Sequence, residues 1–113
     1  METILAEKIE TILNRLELNG RTRDFYDIYL IYTKEWRKIN IEHFRKAIDK
    51  TFTKREYNGN PLEALDIIRN SKVLKERWYK YQKNFAYAEG IEFDEIMDYL
   101  EIMIKQFEPI VAQ

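Results

Sequence analysis

Five charged residues near the start of the sequence have the types and spacing to build a reactive site. Lys8 and Arg15 stand seven positions apart, which on a helix is close to two turns and one face, while Arg23, Asp24 and Asp27 follow as a tight group. Asp24 and Asp27, three apart, place two carboxylates on the same stretch of helix surface. Antiparallel packing of the two segments would bring Lys8 and Arg15 near Arg23, Asp24 and Asp27, giving a mixed-charge site. The residues alone leave its use open. Lys8 also reads as a surface lysine, Asp24 as the acid that a helix N-terminus favours, and Asp27 with Arg15 as an ion pair that fixes how two helices meet. A second pattern is the stripe Lys46, Lys50 and Lys54, whose step of four lines one side of a helix. Such a stripe can track a phosphate backbone or simply face solvent. No glycine-rich phosphate loop, nucleophile elbow, histidine pair or calcium-loop spacing occurs.

The elements that must position these groups read as helices. Leu5, Ile9, Ile12, Leu13 and Leu16 recur at steps of three and four, one apolar stripe, and Asn19-Gly20 is expected to stop that helix. Phe25, Ile28, Tyr29 and Tyr32 mark the packed side of the next, with Lys34 to Lys38 as a charged exit. Asn40 is placed to cap a third helix, with Ile39 and Phe44 at the positions of a hydrophobic staple. Its apolar face is Ile41, Phe44, Ile48 and Phe52, and Asn58-Gly59 is expected to end it. Asn60-Pro61-x-Glu63 starts a short helix with a cap, a proline at the first helical position and an acid placed for a capping-box return bond. Ser71 can cap the next, whose seam runs Leu74, Trp78, Tyr81, Phe85, Ala88 and closes at Gly90. The last carries Ile96, Met97, Leu100, Met103, Ile104 and Phe107 up to Glu108-Pro109, where proline discourages continuation. The eight Tyr and six Phe fall largely on these stripes, as core and half-exposed packing and not as a base-stacking platform.

The run AEKIETILNR followed by RTRDFYDIYLI resembles the two C-terminal motifs of the AbiEii-like nucleotidyltransferase toxins of type IV toxin/antitoxin (abortive infection, phage defence) systems. The stretch from Trp78, W-Y-x-Y followed by A-Y-A-x-G-I, is similar to the family's helical tail. The resemblance implies that Lys8 and Asp24 match the family's functional lysine and acid, with Arg15, Arg23 and Asp27 as nucleotide-binding or supporting positions. It implies Mg and a nucleoside triphosphate for the complete family enzyme, and an antitoxin, a nucleotidyltransferase core and RNA such as tRNA as partners. The family's core opens with a Gly-Ser turn and an acid pair that hold metal and phosphates. No such combination occurs here, so the sequence reads as the C-terminal helical part, 1–113, with the catalytic core absent. Such a chain is expected to bind no cofactor and to be inactive alone. The alternative class is a non-catalytic helical module that binds an antitoxin, RNA or itself. A rival enzyme pattern is the Arg37 to His43 spacing seen in HEPN-type ribonucleases, which needs one continuous helix, whereas Asn40 begins a new one between them.

Size and composition agree with one all-α, helical-bundle-like domain of five or six helices. The chain has 113 residues, 45% hydrophobic and 35% charged, with three Gly and two Pro, too few breakers for an antiparallel β fold. The absence of Cys removes disulfides, thiolate metal sites and thiol catalysis. No apolar run approaches the ~20 residues that span a bilayer, and Glu2, Glu7 and Lys8 interrupt any leader-like stretch, so a cytoplasmic protein is expected. Without a core to pack on, Leu5, Ile9 and Ile12 would stay uncovered, and a homodimer or higher oligomer through the N-terminal helices is expected.

Overall fold

Helix α1, Glu2–Arg15, carries the central apolar stripe: Leu5, Ile9 and Ile12 are wholly buried and Leu13 nearly so. The computed structural model describes residues 1–108, and among them there is no strand. Five further helices follow: α2 Arg23–Leu30, α3 Ile41–Lys54, α4 Pro61–Arg69, α5 Lys72–Asn84 and α6 Phe93–Lys105. α3 packs most extensively on α1, α4 on α6, and α2 on both α1 and α6, so the first helix lies between its neighbours in one core. Phe44 and Phe52 of α3 meet Phe107 edge-on at 5.8 and 5.5 Å, and Phe25 of α2 meets Phe93 at 5.5 Å. The uncovered surface expected at Leu5, Ile9 and Ile12 therefore does not exist. α3 covers it, and the physical basis for association through that face falls away.

The helix starts are built as the sequence indicates. Asn40 accepts from the His43 amide at 2.9 Å, Asn60 from those of Leu62 and Glu63 at 3.0 and 3.1 Å, and Ser71 from that of Leu74 at 3.2 Å. Each satisfies an amide that the first turn leaves without a helical partner. Glu63 is exposed and makes no return bond among the described contacts, so Asn60 caps without a reciprocal partner.

The helix ends differ from the expected ones. α1 stops at Arg15, before Asn19-Gly20, because Leu16 takes a left-handed φ of 51° and a 3-10 turn, Leu16–Leu18, follows. Leu16 is only partly buried, unlike the rest of its stripe. α3 ends at Lys54, and the residue that turns the chain is Glu56, φ 56°, ahead of Asn58-Gly59. The Tyr57 amide bonds the Phe52 carbonyl at 2.9 Å and the Glu56 amide that of Thr53 at 3.1 Å, the paired bonds of a Schellman motif. Gly59 serves instead for close approach: a Cβ there would lie 2.7 Å from the Tyr57 hydroxyl. α5 ends at Asn84, six residues before Gly90, so of the expected seam Leu74 and Trp78 are buried, Tyr81 is partly covered, Phe85 is exposed, and Ala88 is buried in a separate 3-10 turn, Ala86–Ala88. The exit after α2 is not coil but a π-helical turn, Ile31–Glu35, and a 3-10 turn, Trp36–Lys38. The stop expected at Pro109 lies outside the described residues. No helix among those described is long and apolar enough to cross a membrane.

Candidate functional site

α1 and α2 meet through one ammonium and two carboxylates. Lys8 Nζ donates to Asp24 Oδ1 at 3.2 Å and to Asp27 Oδ2 at 2.8 Å. Asp24 stands in the first turn of α2, where the helix dipole favours negative charge. Its side chain is only 3% exposed, against 16% for Lys8 and 21% for Asp27, so Asp24 is buried while Lys8 and Asp27 are partly exposed. Two guanidiniums close the outer side, Arg21 at 3.6 Å from Asp24 and Arg23 at 3.5 Å from Asp27, both about two-thirds exposed. Asp24 Oδ2 is buried and has no hydrogen-bond partner among the described residues.

Four of the five expected residues, Lys8, Arg23, Asp24 and Asp27, therefore come together. Arg15 does not: it is exposed at the end of α1 and joins no ion pair among the described residues, so the Arg15–Asp27 pair is replaced by Lys8–Asp27 and Arg23–Asp27. Arg21 was missed, although its spacing of three from Asp24 was readable. A second buried acid was missed as well. Glu10 is 2% exposed, and Arg55, the residue that follows α3, reaches it at 2.9 Å while also touching Glu7 and Thr11. Glu10 Oε2 and the Tyr57 hydroxyl are both buried without partners among the described residues. Burial, with the Glu10 charge beside it, pushes Tyr57 up to about 12.

The other patterns separate from this cluster. Lys46, Lys50 and Lys54 lie exposed along α3 and make no ion pairs among the described residues. Arg37 lies in the 3-10 turn and His43 in the first turn of α3, with the Asn40 cap between them, so the single helix that the ribonuclease pattern needs is broken. No group of three metal-ligating side chains occurs among the described residues. The Mg implied for the complete enzyme does not fit this cluster, because the Lys8 ammonium already occupies the position between the two carboxylates.

The described residues form an all-helical domain whose first two helices are joined by a lysine-bridged acid pair. The sequence matches the family described as "Nucleotidyl transferase AbiEii toxin, Type IV TA system" over residues 1–99, and the chain belongs to that family. No curated protein and no solved structure matches it.

Proposed function

We propose that this chain forms the Lys8/Asp24 wall of a nucleotidyl-transfer site in a type IV toxin–antitoxin system. The observation that carries the reading is the bridged pair with its buried Asp24 Oδ2 left without a partner. A buried carboxylate oxygen without a donor costs stability, and such a group is retained where a second partner arrives in the working state. An incoming phosphate would share Lys8 with the two carboxylates and meet the exposed Arg21 and Arg23. Asp24 would then be released to accept a proton or hydrogen bond from the acceptor hydroxyl. Transfer of a nucleotidyl group draws on positioning and charge neutralisation, and the carboxylates that hold metal would come from a nucleotidyltransferase core outside the residues described.

The test is reconstitution with such a core in trans. Asp24→Asn keeps the side chain's shape and removes the base, and Lys8→Met removes the cation. Each should lower nucleotidyl transfer by about a hundredfold or more, with circular dichroism confirming the helical fold. Retained transfer in a folded Asp24→Asn protein would overturn the assignment.

A further inference from the structure

We propose that a row of half-exposed aromatic rings along α2 and its π-helical extension is a stacking track for an unpaired nucleic-acid strand. The phenylalanines and tyrosines of this protein do different things. Five of the six Phe are buried, whereas none of the eight Tyr is: Tyr26, Tyr29, Tyr32, Tyr57, Tyr81 and Tyr99 are the half-exposed packing at the edge of the core. Tyr26 and Tyr29 lie 6.2 Å apart at 20° between ring planes, and Tyr29 continues to Tyr99 of α6 at 6.2 Å. Tyr99 stacks on Tyr32 at 4.1 Å and 12°, and Tyr32 on Trp36 at 6.1 Å and 25°. Most of these planes are close to parallel, and all five rings are partly exposed. Aromatic faces arranged this way accept bases of any identity, because every base has a π-face.

Charge selects the occupant. At one end Lys8, Arg21 and Arg23 face Asp24 and Asp27, three cations to two carboxylates, and at the other a concavity of about 520 Å³ is lined by Tyr32, Trp36, Lys34, Arg37 and Lys38. Glu35 lies 4.0 Å from Lys38, which leaves Lys34 and Arg37 without an ion pair among the described residues, and Glu95 accepts from the Tyr99 hydroxyl while keeping its charge beside the row. Rings between cations fit a strand whose bases stack and whose phosphates are held at both ends. An apolar protein partner would gain nothing from those cations. The strand's direction, with its end delivered to Lys8 and Asp24 past Tyr26, rests on the function proposed above; the binding itself does not.

The test uses this chain alone, with fluorescence anisotropy of a labelled RNA of about eight unpaired nucleotides, the same sequence as DNA, and a blunt hairpin of either sugar. Unpaired strands should bind, with affinity falling as salt rises, and the hairpins should bind at least tenfold more weakly. Tyr26→Leu and Tyr32→Leu, which keep apolar packing, should each weaken binding about tenfold, as should Lys34→Gln with Arg37→Gln. Equal binding of RNA and DNA supports stacking and charge alone; tighter RNA binding adds a sugar contact to the same track. Because this binding is measured on the chain without a core, it is read independently of transfer, which separates this inference from the preceding one. Equal affinity for hairpins, or loss of binding in Lys46→Gln/Lys50→Gln while the Tyr variants bind normally, would overturn it.

Discussion

One ammonium satisfies two carboxylates in the α1–α2 contact, and this makes Lys8 the residue on which that contact turns. Its removal leaves Asp24 buried with only the exposed Arg21 at 3.6 Å. Lys8→Met should therefore cost roughly 3 kcal/mol, the scale for stranding a buried charge, while Asp24→Asn, which leaves Lys8 its Asp27 partner, should cost less. Urea denaturation of the two proteins checks the order, and a milder Lys8→Met would mean that solvent already screens the pair. Tyr57 offers a contrasting case, since its hydroxyl is buried with no partner. Tyr57→Phe should be neutral or stabilising by up to about 1 kcal/mol, because it removes a polar group that folding desolvates for nothing. The tyrosine's folded value, about 12, lies above its ordinary 10. Its neutral form thus contributes stability that is complete below pH 10 and is lost as the pH rises toward 12. Melts of wild type and Tyr57→Phe between those limits should diverge, the variant losing less. The cluster at Lys8 was legible because its members stand within two short, strongly patterned segments. The Glu10–Arg55 pair was not, because 45 positions separate its residues and only tertiary packing of α3 on α1 brings them together.

At the level of elements, helix starts and helix ends differ in what the sequence can announce. A start is capped by a side chain, so Asn40, Asn60 and Ser71 declare it by residue type. An end needs a backbone conformation, and here Leu16 and Glu56 adopt left-handed φ values that a reader assigns to glycine. Packing explains the second of these: Tyr57 lies on Phe52 with ring centroids 4.9 Å apart, the apolar contact that accompanies a Schellman turn and holds Glu56 in place. The strain is open to measurement. Glu56→Gly should stabilise the protein by about 1 kcal/mol, since the left-handed region costs roughly that much for a residue with a Cβ. Asn60→Ala should destabilise by about 1 kcal/mol through the loss of its cap. A Glu56→Gly protein that melts lower than wild type would show that the turn is set by something other than backbone strain.

Across the whole molecule, four arginines tie together parts of the fold, as Lys8 does for α1 and α2. Arg45 donates to the Gln106 carbonyl at 2.7 Å, Arg77 to that of Glu17 at 2.8 Å, Arg69 to Asp98 and Glu101 of α6, and Arg55 to Glu10 of α1. Each crosses between parts of the chain far apart in sequence, as a rigid fork with several donors can. These four contacts should not be worth the same. Arg69 meets carboxylates that are 68% and 40% exposed, so Arg69→Ala leaves groups that water solvates, and the expected cost is below about 1 kcal/mol. Arg55 meets a Glu10 side chain only 3% exposed, whose other oxygen has no donor. Arg55→Ala strands that carboxylate between α1 and α3, the most extensively packed pair in the fold, and should cost roughly 3 kcal/mol. Arg55→Lys should recover only part of this, since an ammonium cannot reach Glu10, Glu7 and Thr11 together as the guanidinium does. Adding Glu10→Gln to Arg55→Ala should restore stability by removing the stranded charge, a non-additivity that a double-mutant cycle in urea reads directly. Equal losses for Arg55→Ala and Arg69→Ala, or an additive double mutant, would show that Glu10 is solvated after all and that the α1–α3 contact rests on its apolar stripe alone.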